Sequence, residues 1–317
     1  GIRPGGPAAP RPRGGRALPP APCPAKGGPR AGKAAGATAG SAEPVLVAVA
    51  HGSRVPEAAR EAKALLGLVR ALRPGLPVRL GHIELSEPLV DRTLAGIPGG
   101  RAVLVPLLLG RGYHTECDIP AALARATHLT GRIAAPLGPH PLLADALFDR
   151  LIEAGWRSAP RSAVVLAAAG SRDPKSALGA GRTAAMLADR LGVPVLPAYA
   201  TASPTVPEAV AALAARGHRG IAVASYFTAP GRFSAQCAQA SPTLASAPLG
   251  AHPAVARLVL ERYDEAVAAF SARGRAPAPA PVTAVRQAPR PVVGPGSYGA
   301  LHGCEHPRTA RRGRPRL

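Results

Sequence analysis

The decapeptide VLVAVAHGSR, Val45 to Arg54, predicts the first strand of a parallel α/β fold. An apolar run rich in valine is typical of a strand that is buried on both faces, and the glycine and serine that follow indicate its end. Nearly the same stretch returns 118 residues later as AVVLAAAGSR, Ala163 to Arg172, with an alanine in the place of His51. The sequence therefore predicts a duplicated α/β unit, with a histidine at the end of the first strand in the first copy only.

Further blocks match in the same order along the chain. Val105 and Val223 keep the offset of 118, and PLGPHPLLADALFDRLIEA (Pro136 to Ala154) matches PLGAHPAVARLVLERYDEA (Pro248 to Ala266) at an offset of 112. Several separate matches in one order are the signature of an internal repeat, and the shorter offset indicates that the second copy has lost about six residues.

Four segments follow from the repeat and from composition. We expect a lobe at residues 44–157 and a duplicate at 161–270, joined by a short linker. Residues 1–43 form a basic leader rich in Pro, Gly and Ala, and residues 272–317 form a tail rich in Arg and Pro; neither has apolar periodicity, so both are predicted to be disordered.

Within the first lobe, short apolar runs alternate with longer segments of helical period, which favours parallel sheets flanked by helices. The predicted elements are strands at Val45–Ala50, Val78–Ile83 and Ala102–Leu109, and helices at Pro56–Leu72, from about Glu87, from Ile119, and at Pro141–Ala154. The fold class is therefore α/β, with two tandem lobes of this kind.

Charge and hydropathy limit the function classes. The formal net charge is +21, but residues 1–43 (seven Lys/Arg, one Glu) and 272–317 (nine Arg, one Glu) carry +14 of it. A nucleic-acid-binding arm is disfavoured, because these tails offer only Tyr298 for stacking on bases. No run approaches the roughly 20 apolar residues of a membrane span, and the leader lacks the apolar core of a signal peptide, so we expect a cytoplasmic protein without membrane contact.

Ionisable groups follow each predicted strand of the first lobe, where ligands collect in parallel sheets. His51 follows the first strand, ELSEP (Glu84 to Pro88) the second, and LLGRGYH (Leu108 to His114) the third. A pair of imidazoles with a carboxylate is a usual ligand set for a divalent first-row metal. The corresponding points of the second lobe are Ala169, the segment ATASP (200–204) and Phe233, which cannot hold a metal, so we expect one site, in the first lobe.

The remaining candidates are weaker. For Glu84 and Glu87, a role in the site and a role in capping the next helix are equally favoured, and Glu87 is the preferred candidate for the site. His140 and His252 occur in both copies and are interpreted as structural. One further group, in the C-terminal tail, could bind a metal loosely: His302, Cys304 and His306.

Three motifs in order resemble the sirohydrochlorin chelatase family, relatives of the class II chelatases that insert a divalent metal into a tetrapyrrole. These are VAVAHGSRVPEA at the first strand, ELSEP after the second, and VPLLLGRGYHTECDIP at the third. The resemblance covers residues 44–270, in the double-length form, and excludes the tails.

The resemblance implies roles for individual residues. His51 and His114 are the metal-contacting, catalytic pair, and His51 also accepts a proton. Glu87 contacts the macrocycle, as does the loop that ends at His114: Leu109, Gly110, Arg111, Gly112 and Tyr113. The substrate is rich in carboxylates, with which Arg54 and Arg111 can pair.

The implied function is insertion of Co²⁺ or Fe²⁺ into sirohydrochlorin, in cobalamin or siroheme biosynthesis, with the metal as substrate and no permanently bound cofactor. Nickel stays open as well, because imidazole and carboxylate ligands accept all three ions. A non-catalytic metal or tetrapyrrole carrier of the same fold is the alternative, and the oligomeric state is left open.

Overall fold

The computed structural model describes residues 43–171 and 174–273, so the predicted leader and tail, with the His302, Cys304 and His306 group, lie outside it almost entirely. The strands are β1 (Val45–Ala50), β2 (Val78–His82), β3 (Gly100–Pro106), β4 (Leu129–Ile133), β5 (Ser162–Ala168), β6 (Val195–Tyr199) and β7 (Gly220–Ser225). The helices are α1 (Pro56–Leu72), α2 (Val90–Ala95), α3 (Ile119–Arg125), α4 (Pro141–Glu153), α5 (Pro174–Leu191), α6 (Val206–Ala215), α7 (Arg232–Gln239) and α8 (Pro253–Arg273), and a π-helical turn, His114–Asp118, precedes α3.

Two parallel sheets confirm the predicted fold class. The first has the order β2-β1-β3-β4 and the second the order β6-β5-β7. The predicted bounds of β1 and α1 are confirmed, whereas β3 lies earlier than the predicted Ala102–Leu109. Strand β4 was not predicted, because its sequence LTGRI has no continuous apolar run and it pairs only with β3 at the edge of the sheet.

The strand register corrects one sequence match. Leu104 pairs with Val47, and Val223 pairs with Val165, which is the counterpart of Val47 at an offset of 118. The counterpart of Val223 is therefore Leu104 and not Val105. From the third strand of each lobe onward, the two copies correspond at an offset of 119 until the second copy loses residues.

Alternate residues of the central strands enter different apolar layers, as a doubly covered sheet requires. In β1, Leu46 and Ala48 face a layer between the two sheets, while Val47 and Val49 face α2 and α3 on the outside. In the second sheet, alternate strand residues likewise face either the layer between the two sheets or helices α6 and α7 on the outside. In the described part of the chain, each sheet is thus covered by apolar side chains on both faces.

The central layer contains α1, α4, α5 and α8, and its C-terminal helices are exchanged between the lobes. Helix α8, at the end of the second lobe, packs on β3, β4 and α1 of the first lobe. Helix α4, at the end of the first lobe, packs on β7 and α5 of the second. Each lobe therefore completes the core of the other, and the described residues of both lobes belong to one compact unit.

Polar contacts join the exchanged helices to their hosts. Arg73 at the end of α1 makes a bidentate ion pair with Asp264 of α8, at 2.6 and 2.7 Å. Tyr263 is fully buried, and its hydroxyl donates a hydrogen bond to the carbonyl of Pro44 at 2.6 Å. Such bidentate charged pairs fix orientation as well as adding energy, so they set the register of α8 on the first lobe.

His140 and His252 cap α4 and α8 in the same way, in agreement with a structural role. Their Nδ1 atoms accept hydrogen bonds from the backbone N–H groups of Leu142 and Ala254, at 3.3 and 3.2 Å. Their Nε2 atoms lie 3.3 Å from Glu261 of α8 and 3.4 Å from Asp149 of α4, so each capping ring faces the exchanged helix of the other lobe.

A core substitution tests whether the lobes unfold together. Leu147 of α4 is fully buried in the central layer, so Leu147→Ala should lower the free energy of unfolding by about 2–5 kcal/mol. In urea, fluorescence of Trp156, the only tryptophan, and far-UV circular dichroism should show one coincident transition, both before and after the substitution. Two separated transitions would show that the lobes fold independently.

The capping histidines predict a pH dependence of stability. Burial lowers the pKa of both His140 and His252, with Arg262 and Arg150 respectively adding to the effect. Below about pH 6.5, the ordinary histidine pKa, the unfolded chain therefore binds more protons than the folded chain. The contribution of these two histidines to the free energy of unfolding is complete above pH 6.5, and it is lost as the pH falls toward their lowered pKa values in the folded state.

We expect His140→Asn/His252→Asn to flatten the fall in unfolding free energy between pH 7.5 and 5, because asparagine keeps an N-cap acceptor but does not titrate. Urea denaturation at stepped pH measures the slope. Part of the slope should remain, since burial also lowers the pKa of His82. An unchanged slope would contradict the assignment.

Candidate metal and substrate site

The end of β1 places His51, and it needs a glycine next to that histidine. Gly52 has φ +97, and a Cβ atom there would lie 1.7 Å from the carbonyl oxygen of Glu84. The carbonyl of His51 accepts a hydrogen bond from the Glu84 N–H at 3.0 Å, and the hydroxyl of Ser86 donates to the Ser53 carbonyl at 2.9 Å. The loops after β1 and β2 are therefore fixed against each other, with His51 and Glu84 side by side.

The loop after β3 places His114 at the start of the π-helical turn. Gly112 N–H donates to the hydroxyl of Thr115 at 2.9 Å, which closes the loop before the turn. His114 Nδ1 lies 2.6 Å from Asp118 Oδ2, one turn later. Single π-helical turns are frequent at functional sites, and a carboxylate on one ring nitrogen fixes the orientation of an imidazole.

His51, Glu84 and His114 form one cluster of possible metal ligands. His51 Nε2 lies 3.6 Å from Glu84 Oε1, the two imidazole centroids are 4.6 Å apart, and the ligand atoms of all three residues lie within 4.8 Å of one another. Because Nδ1 of His51 lies 3.2 Å from the Gly52 carbonyl and Nδ1 of His114 contacts Asp118, the Nε2 atoms are the nitrogens left for a ligand. The side chains are 44, 52 and 33% exposed, so an ion can reach them.

The two histidines of the cluster line a cavity of about 900 Å³ between the two lobes. His51, Arg54 and every residue of the loop from Leu109 to His114 line it, as do residues at the ends of β5, β6 and β7. This volume suits a ligand of several fused or linked rings. The structure therefore brings the predicted loop and both predicted histidines to one cavity.

Glu87, the favoured carboxylate of the sequence analysis, lies elsewhere. Its carboxylate accepts a hydrogen bond from the Leu89 N–H at 3.1 Å, at the start of α2, and lies 4.0 Å from Arg92. Neither glutamate lines the cavity, but Glu84 is the carboxylate whose oxygen lies with the two histidines in the cluster. Both residues follow β2 in ELSEP, and the positive φ of Leu85 between them, +63, is a backbone turn that the motif did not reveal.

The second lobe repeats the backbone of the site without its ligands. Gly170 has φ +86, as Gly52 has a positive φ, and Thr201 N–H donates to the Ala169 carbonyl at 3.1 Å, as Glu84 N–H does to His51. Ala169 and Thr201 thus stand at the positions of His51 and Glu84. At the offset of 119, Phe233 stands at the position of His114.

The other histidines of the described chain bind backbone. His82 is buried at the cavity wall with Nδ1 at 3.2 Å from the Pro88 carbonyl, and burial lowers its pKa. His128 Nε2 contacts the carbonyls of Leu94 and Ile97, and His218 Nδ1 contacts that of Arg161. Among residues 43–171 and 174–273, no helix has the length and apolar character needed to cross a bilayer.

Comparison with known proteins finds one family twice. The model of the CbiX family matches residues 45–154 and 163–266. A protein of Methanosarcina acetivorans named sirohydrochlorin cobaltochelatase is 29% identical over 123 residues, 34% of this chain and 95% of that protein. A protein of Bacillus subtilis named sirohydrochlorin ferrochelatase is 31% identical over 166 residues, 50% of this chain and 63% of that protein.

Solved structures share the fold. The cobalt complex of the sirohydrochlorin chelatase SirB from Bacillus subtilis subspecies spizizenii superposes with a TM-score of 0.61 at 23% identity, covering 74% of this chain and 98% of that one. A chelatase-like protein of Deinococcus radiodurans superposes with a TM-score of 0.56 at 25% identity, over 71% of this chain and 56% of that one.

The two glutamates of ELSEP form a matched pair for a metal-binding test. Glu84→Gln should weaken Co²⁺ binding at least tenfold, because even residues that only orient a metal ligand are worth about 10- to 100-fold. Glu87→Gln should bind Co²⁺ like the unaltered protein, since its carboxylate lies outside the cluster. Titration followed by cobalt absorption measures both; equal losses in the two variants would remove Glu84 from the ligand set.

Proposed function

Since the chain belongs to the CbiX family and carries its fold twice, we propose that it is a sirohydrochlorin chelatase, a lyase that inserts a divalent metal ion into sirohydrochlorin. The observation that carries the proposal is the cluster of His51, Glu84 and His114, whose two histidines line a cavity large enough for a tetrapyrrole. The names of the relatives support the same reaction.

Insertion consumes a metal ion and a metal-free macrocycle, and it releases two protons from the pyrrole N–H groups. The ion must exchange water for protein ligands, reach the macrocycle and then leave those ligands for the four ring nitrogens. Two neutral imidazoles and one carboxylate suit this task, because they bind a first-row ion without the persistence of thiolates. We assign His51 and His114 as the holders of the ion and add Glu84 as a third ligand.

The same histidines serve as proton acceptors. Once the metal passes to the macrocycle, the Nε2 atom of His51 is free to take a pyrrole proton, and its exposed edge can release that proton to solvent. A general base in position typically contributes about 10²- to 10⁴-fold to a rate. Asp118 on Nδ1 of His114 keeps that ring in the tautomer with Nε2 available.

Charge at the cavity supports a polycarboxylate substrate. Arg54 and Arg111 line the cavity, and neither makes an ion pair with another described residue. Guanidinium groups bind carboxylates in bidentate geometry, so these two residues can hold peripheral carboxylates of the macrocycle. The loop Leu109–His114 contacts the macrocycle in this proposal, and Glu87 keeps a possible contact only at the rim.

The metal is Co²⁺ or Fe²⁺, and it is a substrate with no permanently bound cofactor beside it. Some relatives are named cobaltochelatases and others ferrochelatases, and a site of imidazole and carboxylate ligands accepts both ions. Cobalamin or siroheme biosynthesis would follow from the ion that is used. Location in the cytoplasm stays a prediction from the sequence.

The test is an anaerobic insertion assay with sirohydrochlorin and, in turn, Co²⁺, Fe²⁺ and Ni²⁺, followed by the visible spectrum of the macrocycle. We expect catalysed change with at least one ion, and a loss of at least about 10²-fold in kcat/KM for His51→Ala and for His114→Ala. His218→Ala is the matched control, because its ring bonds the Arg161 carbonyl away from the cavity.

Two outcomes would contradict the proposal. Binding of the macrocycle without spectral change, for every ion, would identify a carrier of the same fold. Insertion that persists in both histidine variants would show that the reaction does not use this cluster.

A further inference from the structure

The loop of the second lobe that corresponds to the site loop lines the same cavity. Gly231 N–H donates to the hydroxyl of Ser234 at 2.9 Å, and that hydroxyl donates back to the Gly231 carbonyl, as Thr115 does with Gly112 in the first lobe. Tyr226 to Ser234 all lie at the cavity wall. The duplicate has therefore kept the backbone that presents side chains to the cavity, although it holds no metal ligand there.

The side chains on this loop differ in kind from those of the first lobe. Phe233 stands in place of His114 and Arg232 in place of Tyr113, and Phe233 is 38% exposed at the cavity. The second-lobe residues that line the same cavity are small, aromatic or hydroxyl-bearing, and they include Ala168, Ala169, Tyr199, Tyr226, Phe227, Thr228 and Ser234. One wall of the cavity thus carries two imidazoles, and the other carries the phenyl ring of Phe233 with a guanidinium beside it.

Arg232 is unpaired and lies beside a flat apolar ring. Its guanidinium lies 5.8 Å from the centroid of the Phe233 ring, and it makes no ion pair with residues 43–171 or 174–273. The acidic residue that lines the cavity in the described chain, Glu61, already accepts the Ala251 N–H at 2.8 Å. With Arg54 and Arg111 on the first lobe, the cavity therefore meets a ligand with positive charge from both lobes.

We propose that the second lobe is the substrate-binding wall: Phe233 packs against a face of the macrocycle and Arg232 pairs with one of its peripheral carboxylates. This rests on the proposed function. Packing a phenyl ring on a flat π-system and pairing a guanidinium with a carboxylate are both favourable in a partly closed cavity. Loss of the second metal site is then what lets the lobe present an apolar surface, and metal reaches the macrocycle from the first lobe.

The experiment compares Arg232→Met and Phe233→Leu with Arg216→Met, an exposed arginine at the C-terminal end of α6 and outside the cavity. Metal-free sirohydrochlorin is titrated into each full-length protein by absorbance, and insertion kinetics are measured beside it. We expect Kd and KM to rise about tenfold for each cavity variant, with kcat changed far less, and no change for Arg216→Met. Added potassium chloride should weaken binding less in Arg232→Met than in the unaltered protein, because one charge pair has been removed.

The binding measurement separates this inference from the proposed function. Cavity variants that bind and turn over like Arg216→Met would overturn the role of the second lobe and leave the chelatase intact. An unaltered protein that binds the macrocycle but never inserts metal would contradict the chelatase, while the Kd values would still decide for or against Arg232 and Phe233. No binding by the unaltered protein would overturn both.

Discussion

The exchange of α4 and α8 is the constraint on which the rest of the structure depends. Each helix covers the inner face of the other lobe's sheet, so the buried residues of both lobes form one continuous apolar layer. Neither sheet can lose its partner without exposing that face to water, at a cost of about 25 cal/mol for each Å² of apolar surface. Because the lobes are held in this way, the ends of strands from both sheets line one cavity.

That arrangement explains how a duplicated unit can serve one reaction. The second copy keeps what the backbone needs: Gly170 with its positive φ and the bond between Gly231 and Ser234. It lacks the ionisable side chains of the cluster, since Ala169, Thr201 and Phe233 occupy the positions of the imidazoles and the carboxylate. Loops of the same shape therefore face one cavity with different side chains, an imidazole from the first lobe and a phenyl ring from the second.

The cluster itself is built by contacts between loops and not by any one motif. His51 is set by Gly52, whose missing Cβ leaves room for the Glu84 carbonyl, and His114 is set by Asp118 across a π-helical turn. These contacts join the ends of β1, β2 and β3, which lie beside one another only because β1 is the central strand of the three. Adjacent strand ends are where parallel sheets gather ligands, and here they bring together three side chains that could hold a metal ion.

The sequence by itself determined the repeat, the parallel α/β class, the bounds of β1 and α1, and the two candidate histidines, because apolar periodicity and turn residues act over a few neighbouring positions. Only the tertiary structure decided that Glu84 and not Glu87 joins them, that LTGRI forms an edge strand, and that the third strands correspond at an offset of 119. It also decided that α8 completes the first lobe and that Arg232 and Phe233 share its cavity. All of these facts depend on packing between residues that are distant in the chain, for which local pattern carries no signal.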